Sequence, residues 1–399
     1  MSMKRIMLLG GSYFQMTATK AAKELGYYVI SVDYLPDNPG HKYADEYHNI
    51  STLDQEAVLN LACEKKIDGI ISYASDVSAP TAAYVASKLG LPTNPPESVD
   101  ILTNKQKFRR FLRDNGFNTP RGKSFSTLED AKTFCETLPF PVMVKPTDSA
   151  GSKGVHKVNE IGQLEAAWFD ANQYSRNKQI LVEEFIEKSG YQIDADSFLI
   201  NGELAYFGVL DQHNDLQCNP FVPIGLSGPS VLPAEQRMLA KSELQRLFGL
   251  LNMKNGALNI EFIFDKKGCF YVLEVGPRNG GNLITDVIKC GSGVDLAKYT
   301  FCAATGAPCD DLAEHPFHTC VSSFIVHSPV SGTYKGLWIS DDIKNDILRL
   351  DIFIQPGDRV EYFDNAGFSI GAAIIRFQNQ QIMNDKMDHM DQYIKVLVD

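Results

Sequence analysis

The sequence predicts an α/β protein that begins with a parallel sheet covered by helices on both faces. Two observations in the first hundred residues predict this class. Strand and helix patterns alternate along the chain, and the strand patterns are apolar over almost their whole length. Strands that are apolar on both faces are typical of parallel sheets, because helices pack on both sides of such a sheet.

Glycine and polar residues separate the elements of this first unit. The predicted strands are residues 5–9, 28–32 and 69–73, and the predicted helices are residues 18–26, 53–66 and 79–89. The first strand ends at Gly10-Gly11-Ser12, and the second ends at Asp33. A proline-rich stretch over residues 91–96 then interrupts the alternation, which predicts a domain boundary near residue 95.

Beyond this boundary, helices alternate with longer runs of strand. The predicted helices are residues 103–116, 130–138, 162–174, 234–251 and 383–390. The predicted strands are residues 141–145, 155–158, 179–185, 191–211 with a break at Asn201-Gly202, 257–265, 270–275, 319–326, 358–363 and 367–375. The helix over residues 103–116 is amphipathic, with Phe108 on its apolar side and Arg109 predicted to lie on its polar side.

The composition excludes several classes of protein. The 399 residues include 38 Lys and Arg against 49 Asp and Glu, and the net charge of −11 argues against extended nucleic acid as a partner. A hydrophobic fraction of 44% with 22% charged residues excludes a disordered or fibrous chain. No apolar run approaches the ~18–20 residues of a membrane span. The 8 cysteines form no C-x-x-C pair, which predicts reduced thiols in a cytoplasmic protein and no disulfide framework or zinc site.

A lysine ends the otherwise apolar strand over residues 141–145, and a glycine-bearing loop follows it. Lys145 should face a charge or a cleft, because a lysine is rarely buried without a partner. The loop comprises Ser149, Ala150, Gly151, Ser152, Lys153 and Gly154. Its small residues let several backbone N–H groups converge on an anion, which favours phosphate binding. The loop joins two strands, so it is not the G-x-x-x-x-G-K-[ST] motif, and a plain hairpin with exposed lysines is the alternative.

Two glutamates are predicted to face each other across the hairpin of residues 257–265 and 270–275. A four-residue turn places Asp265 opposite Phe270, and in that register Glu261 lies opposite Glu274. Like charges directly opposite destabilise a sheet, whereas a divalent cation such as Mg²⁺ reverses the effect. A solvated sheet face, on which the glutamates splay apart, is the alternative. We favour a metal site, because apolar residues flank the glutamates and Arg278 follows the second strand.

These segments together resemble the ATP-grasp superfamily of ATP-dependent carboxylate–amine ligases, over about residues 3–390. The order of the segments carries the resemblance. They are Ile6 to Ser12 with Asp33, Asn104-Lys105, Val142 to Pro146, Ser149 to Gly154, Glu183 to Ile186, Ala257 to Phe262, Leu273 to Arg278, and Gly291 to Leu296.

The resemblance implies where ATP binds. Lys105 and Lys145 would bind the nucleotide, the glycine-bearing loop would cover its phosphates, and Gln192 would contact the ribose. The hinge that holds adenine would be formed by Glu183, Glu184, Phe185 and Ile186, with backbone pairing at Glu184 and Ile186.

The resemblance also implies a metal site and a catalytic pair. Glu261 and Glu274 would bind Mg²⁺, with Mn²⁺ as a possible substitute, and Arg278 and Lys145 would act in catalysis. The family usually has E-x-N-P-R at the second metal strand, but here Gly276 replaces the asparagine. Asn259 is opposite Gly276 in the predicted register, so we hypothesise that Asn259 or a water molecule takes over that coordination. Gln192 replaces a glutamate of the family and can hydrogen-bond a ribose hydroxyl without a charge.

The implied fold is an ATP-grasp fold with four parts. They are an N-terminal Rossmann-like domain (1–95), an ATP-grasp part with the small lobe (96–185), the large lobe with the metal site (186–309) and a small C-terminal β-rich extension (310–399). The implied reaction joins a small-molecule carboxylate to an amine through an acyl phosphate, and a homodimer is compatible with it. An ATP-grasp phosphotransferase and a non-catalytic ATP-binding regulator are the alternatives.

The sequence does not identify the substrates. Candidate contacts are Ser12, Tyr13, Asp76, His213 and the segment of residues 219–228, and we expect His213 to be an ordinary solvated histidine. A nucleotide-dependent oxidoreductase is disfavoured, because Gly10-Gly11 lacks the third glycine of G-x-G-x-x-G.

Overall fold

The computed structural model describes residues 3–399, which begin with the parallel sheet that the sequence predicts. Its elements are β1 (Arg5–Leu9), α1 (Tyr13–Glu24), β2 (Tyr28–Asp33), β3 (Glu46–Asn49), α2 (Gln55–Lys65), β4 (Gly69–Ser72) and α3 (Ala79–Leu89). The strands pair in parallel in the order β3-β2-β1-β4. Met7 and Leu9 belong to one apolar cluster, while Ile6 and Leu8 belong to another. Both faces of β1 are therefore buried, as expected of a parallel strand.

Two short helices lead into a small antiparallel sheet. The elements are α4 (Pro96–Thr103), α5 (Lys105–Asp114), β5 (Gly122–Phe125), α6 (Leu128–Cys135), β6 (Val142–Pro146), β7 (His156–Val158), α7 (Leu164–Tyr174) and β8 (Ile180–Glu184). The strand order is β5-β8-β6-β7, and α6 and α7 enclose an apolar core that contains Trp168. We call this unit the small lobe.

A large mixed region makes up the rest of the chain. Its strands are β9 (Gln192–Ile200), β10 (Glu203–Asn214), β11 (Pro223–Gly228), β12 (Gly256–Phe264), β13 (Phe270–Gly276), β14 (Cys320–Val326), β15 (Gly332–Ile339), β16 (Ile347–Ile352), β17 (Arg359–Val360), β18 (Gly371–Phe377) and β19 (Ile394–Val398). Its helices are α8 (Ala234–Leu250), α9 (Ile284–Ser292), α10 (Leu296–Ala304), α11 (Asp341–Lys344) and α12 (Gln380–Asp388). Short 3₁₀ turns occupy Pro39–Tyr43, Ile161–Gln163, Ala366–Phe368 and Met390–Gln392.

The large sheet has eight strands and crosses the predicted boundary at residue 309. Its order is β13-β12-β9-β10-β11-β14-β18-β16, so β14, β16 and β18 continue the sheet that carries Glu261 and Glu274. A separate sheet of order β17-β15-β19 lies at the C-terminal end. The four domain ranges stay predictions, but residues 310–399 share their main sheet with residues 186–309.

The structure contains elements that the sequence did not predict, and it moves the ends of others. The predicted helix over residues 103–116 corresponds to α5, which begins at Lys105 because Asn104 is extended (φ −115°) and caps it by accepting a hydrogen bond from Lys107 N. Helix α1 begins at Tyr13 rather than at residue 18. The elements that were not predicted are the strands β3, β5, β11, β15, β16 and β19 and the helices α4, α9, α10 and α11. The predicted strand over residues 358–363 is reduced to β17.

Candidate active site

A cavity of about 580 Å³ lies where the N-terminal sheet, the small lobe and the large sheet meet. It is lined by most of the residues singled out from the sequence. These are Lys105, Lys145, Ser149, Ala150, Gly151, Ser152, Lys153, Glu183, Glu184, Phe185, Ile186, Gln192, Asn259, Glu261, Glu274 and Arg278. Gly154 is not among the lining residues. Its φ of +69° and a position where a Cβ would lie 2.9 Å from Ala171 Cα place it at the contact between the loop and α7.

A buried ion cluster fixes Lys145 at the cavity wall. Lys145 Nζ lies 2.5 Å from Glu183 Oε1, and Arg109 donates to Glu183 Oε2 from Nε at 2.8 Å. Arg109 Nη1 also donates to Leu273 O at 2.8 Å, which ties the small lobe to β13. Burial alone would raise the pKa of Glu183, but Arg109 and Lys145 lower it to about 2. The carboxylate of Glu183 therefore faces two cations.

The prediction that Arg109 lies on a polar face of its helix is wrong. Arg109 is 4% exposed, because its guanidinium is paired with Glu183. A signal for this was present in the sequence, since Lys105 and Arg109 are four residues apart and so lie on one side of α5. Lys105 Nζ donates to Glu274 Oε1 at 3.0 Å and to Ser149 O at 2.9 Å.

Three carboxylates lie side by side on the cavity face of the large sheet. The register pairs Asp194 with Glu261 across β9 and β12, and Glu261 with Glu274 across β12 and β13. Gln192 Nε2 donates to Glu261 Oε2 at 2.8 Å. Burial, then the neighbouring Glu274 and Asp194, raise the pKa of Glu261 to about 8. A cation at this position would relieve that repulsion. Asp194 was not singled out from the sequence.

The predicted register is confirmed at the site and wrong near the turn. Glu261 lies opposite Glu274, and Asn259 lies opposite Gly276. A bulge between Glu261 and Phe262 then shifts the pairing by one residue, so Phe270 lies opposite Phe264 and not Asp265. Bulges change which face a side chain joins, and here both Leu273 and Glu274 line the cavity.

Arg278 lies in a network with Asn259 and Asp76. Arg278 Nη1 donates to Asn259 Oδ1 at 2.9 Å, and Arg278 Nη2 lies 2.5 Å from Asp76 Oδ2. Asn259 Nδ2 donates to Asp194 Oδ1 at 2.5 Å and to Asp196 Oδ1 at 3.0 Å. The side-chain oxygen of Asn259 thus accepts from Arg278, and its role as a metal ligand stays a prediction.

The space beside Gly276 is occupied by Asp76. A Cβ at position 276 would overlap Asp76 Oδ1 and would lie 2.8 Å from Arg278 Cζ. Asp76 Oδ1 and Arg278 Nε are buried and have no hydrogen-bond partner among residues 3–399. An aspartate from the N-terminal sheet domain therefore fills the space that a side chain at position 276 would need.

The glycine-bearing loop touches two other segments. Gly151 and Ser152 have φ values of +70° and +58°, and Ser152 Oγ donates to Phe221 O at 2.7 Å. Ala366 N donates to Gly151 O at 3.2 Å. The loop is thus closed over the cavity against the segment after β10 and against the segment before β18.

Only some of the candidate substrate contacts lie at the cavity. Ser12 and Asp76 line the cavity, whereas Tyr13 donates to Asp351 Oδ2 at 2.5 Å and does not line it. His213 does not line it either, and the expectation of a solvated histidine is wrong. His213 is 1% exposed, with Nδ1 2.6 Å from Asp388 Oδ1 and Nε2 2.7 Å from Ser227 Oγ.

Comparisons with known proteins agree with this architecture. The family model described as "ATP-grasp domain" matches residues 138–286. The large chain of carbamoyl phosphate synthase from Thermoanaerobacter pseudethanolicus is 27% identical over 311 residues. That match covers 75% of this chain and 28% of the relative, so the chain spans little more than a quarter of that protein.

Solved structures match over nearly the whole chain. An L-amino acid ligase from Bacillus licheniformis has a TM-score of 0.84 at 22% identity, with 99% of each chain covered. A phosphoribosylglycinamide synthetase from Anaerococcus prevotii has a TM-score of 0.76 at 21% identity, with 100% of each chain covered. At these identities the two likenesses concern the fold alone, over nearly the whole length of each chain. The family match includes Lys145, the hinge and both glutamates, so residues 138–286 of this chain are an ATP-grasp domain.

Proposed function

We propose that this protein is an ATP-dependent carboxylate–amine ligase that forms a C–N bond through an acyl phosphate and releases ADP and phosphate. The observation that carries the proposal is the pairing of Glu261 with Glu274 in a cavity that also contains Lys105, Lys145 and Arg278. Phosphoryl transfer needs positioned cations and carboxylate-bound metal more than a protein nucleophile.

The residues present fit Mg²⁺ and the phosphates of ATP. Glu261 and Glu274 supply the hard oxygen ligands that Mg²⁺ prefers, and the raised pKa of Glu261 marks a place that favours a cation. When bound, Mg²⁺ would neutralise charge on the phosphate oxygens during transfer. Mn²⁺ is expected to substitute, because it accepts the same ligand class.

Each cation of the cavity has a distinct place. Lys145 is held by Glu183, and Lys105 lies between Glu274 and the backbone of Ser149, so both ammonium groups are positioned before a nucleotide arrives. Arg278 is held by Asp76 and Asn259 at the side of the cavity nearest the N-terminal sheet. This arrangement supports a role for Arg278 in steadying the transferring phosphoryl group.

The two bond changes follow from this arrangement. An oxygen of the substrate carboxylate attacks the γ-phosphorus, the bond to the β-phosphate oxygen breaks, and ADP leaves. The amine then attacks the acyl carbon, phosphate leaves with the acyl C–O electron pair, and the amine loses a proton. The closed glycine-bearing loop would keep water from the acyl phosphate.

The test is carboxylate-dependent ADP release. Pairs of amino acids and other small carboxylates and amines are screened with Mg²⁺ and ATP, and a carboxylate labelled with ¹⁸O is used for any active pair. We expect one labelled oxygen in the released phosphate, because an acyl phosphate transfers it. Arg278→Met should abolish turnover, whereas Arg376→Met, at an exposed position of β18, should not.

The alternatives give other results. A phosphotransferase would accumulate a stable phosphorylated product without needing an amine. A regulator would bind ATP and release no ADP with any pair.

A cytoplasmic location and a homodimer are also proposed, and the homodimer is tested by light scattering of the purified chain. Among residues 3–399, no helix is long and apolar enough to cross a membrane.

A further inference from the structure

Three potential metal ligands meet outside the active-site cavity. They are Asp215 and Cys218, in the segment that follows β10, and His327, which follows β14. One carboxylate oxygen, the Sγ and one imidazole nitrogen all lie within 4.8 Å of one another. The side chains are largely buried, with 6% of His327 and 13% of Asp215 exposed. None of the three lines the cavity described above.

The imidazole is oriented as in metal-binding histidines. His327 Nδ1 lies 2.7 Å from Ile325 O, and a backbone carbonyl only accepts, so Nδ1 carries a proton. This leaves Nε2 facing Asp215 Oδ2 at 2.9 Å. Asp215 Oδ1 accepts from Gln217 N at 2.7 Å, which fixes the carboxylate. Metal-binding histidines are commonly held in this way by a carbonyl behind the ring.

The distances suit a zinc-class ion. Ligand atoms about 2.0–2.3 Å from a tetrahedral zinc are roughly 3.5 Å apart, so atoms within 4.8 Å need only small side-chain movements to close. A mixed set of carboxylate, thiolate and imidazole selects Zn²⁺ over Mg²⁺, because a thiolate is a poor ligand for hard cations. We propose that Asp215, Cys218 and His327 bind a Zn²⁺ ion, with the fourth position open to solvent.

Ion binding must displace two protons, the thiol proton and the proton shared by His327 Nε2 and Asp215 Oδ2. Without a cation, burial and the nearby Asp215 raise the pKa of Cys218 to about 12, so the thiol keeps its proton. Zn²⁺ would take the thiolate, the Nε2 lone pair and the carboxylate, and both protons would pass to solvent. The metal-free protein instead pairs His327 with Asp215, and this ion pair is the competing explanation for the cluster.

The site lies at the base of the segment that closes the glycine-bearing loop. Asn219 Nδ2 donates to Asp364 O at 2.8 Å, and Phe221 O accepts from Ser152 Oγ at 2.7 Å. An ion that fixes Asp215 and Cys218 against His327 would hold this segment in place under the loop. This consequence rests on the proposed function of the loop, whereas the metal site itself does not.

Cobalt substitution of the full chain tests the site. We expect chelator-treated protein to bind Co²⁺ with thiolate-to-metal charge-transfer absorption in the near ultraviolet and with the strong visible bands of a four-coordinate ion. Excess Zn²⁺ should remove both. The carboxylates Glu261 and Glu274 cannot give the thiolate band, so the Glu261→Gln variant should retain it.

Matched cysteine variants assign the signal. Cys218→Ser should lose the near-ultraviolet band, and Cys320→Ser, at a half-buried position of β14 outside the cluster, should keep it. Absence of the band from the unmodified chain, or its survival in Cys218→Ser, would overturn the proposal. If Cys218→Ser does not fold, alkylation of the unmodified chain decides instead. Zn²⁺ should then protect Cys218, identified by peptide mass, and equal labelling with and without Zn²⁺ overturns the site.

Proteolysis tests the link to the loop separately. Trypsin cleavage after Lys153 should slow severalfold when Zn²⁺ is present, and Cys218→Ser should remove that protection. Cleavage that is unchanged in protein with the cobalt thiolate band would refute the link to the loop. Neither measurement depends on ADP release, so failure of the ligase proposal would leave both results interpretable.

Discussion

Replacing Glu183 by glutamine should destabilise the small lobe far more than the same change at Glu184. The two glutamates are adjacent on β8 but lie on opposite faces. Glu183 is fully buried between Arg109 and Lys145. Glu184 pairs with Arg121 at the surface, where 59% of the arginine side chain is exposed. Glu183→Gln leaves two buried cations without a counter-charge, and Glu184→Gln leaves one cation in water.

The size of the effect follows from the pKa of Glu183. The ion cluster lowers that pKa from 4.5 to about 2. At ~1.36 kcal/mol per pKa unit, this difference corresponds to about 3 kcal/mol of stability. Removing one partner of a buried ion pair typically costs ~3–5 kcal/mol, which agrees. A surface pair such as Glu184 with Arg121 contributes ~0–1 kcal/mol.

The stability that Glu183 contributes depends on pH, and the direction of this dependence follows from its pKa. A carboxylate whose pKa is lowered in the folded protein stabilises that protein at every pH above the pKa that the same group has in the unfolded chain. The contribution of Glu183 is therefore complete above pH 4.5 and is lost as the pH falls from 4.5 towards about 2. The Glu183→Gln protein should lack this part of the acid-induced loss of stability.

The assay needs a probe inside the small lobe, because a chain of several units need not unfold in one step. Trp168 is 5% exposed in the small-lobe core, and Trp338 is 44% exposed on β15. In a Trp338→Phe background, tryptophan fluorescence during urea unfolding reports the small lobe. A loss below ~1 kcal/mol for Glu183→Gln, or equal losses for both variants, would refute the reasoning.

Three further predictions concern the cavity and the glycine-bearing loop beside it. In chelator-treated protein above pH 8, where Glu261 is ionised, Glu261→Gln should raise the midpoint of thermal unfolding, because it removes a repulsion between like charges of ~0.2–1 kcal/mol. The same change should lower Mg²⁺-dependent ADP release at least ~100-fold, and exposed Glu203→Gln should change neither quantity. Gly276→Asn should lower both ADP release and the free energy of unfolding, because the new side chain would overlap Asp76. A double-mutant cycle with Asp76→Ala should show ~1–3 kcal/mol of coupling, and additive effects would contradict the overlap. Gly154→Ala should destabilise the small lobe by more than ~1 kcal/mol, because φ is +69° and Ala171 Cα is 2.9 Å from the new Cβ, while Gly162→Ala, which has open space, should not; equal effects would contradict this.

Local patterns in the sequence predicted the elements that carry the site. The strand that ends at Lys145 and the two glutamate strands are short-range features, so alternation was enough to predict them. The predicted turn after Asp265 was one residue too short, and the pairing of Glu261 with Glu274 was still correct because the bulge offsets that error. The one-residue error at Phe270 arose because a bulge leaves no clear mark in an alternating apolar strand.

Contacts between distant segments could not be predicted in this way. Arg109 was placed on a polar face, because its partner Glu183 is 74 residues away. The cluster of Asp215, Cys218 and His327 joins residues 112 positions apart, so cysteine spacing gave no sign of it. His213 was expected in solvent, because its partner Asp388 comes from a helix 175 residues later. In each case a polar side chain is buried by a partner that only the fold supplies.

Gly276 departs from the family pattern, and a neighbour that only the fold supplies changes what that departure implies. From the sequence, Gly276 removes a metal ligand and weakens the case for catalysis. In the structure, the vacated space holds Asp76, whose Oδ2 pairs with Arg278 and whose Oδ1 has no partner among the described residues. A buried carboxylate oxygen without a donor is costly unless a cation or a donor arrives with a ligand. The change at Gly276 therefore exchanges a neutral amide for a negative charge supplied by the N-terminal domain, and it leaves Arg278 fixed in the cavity.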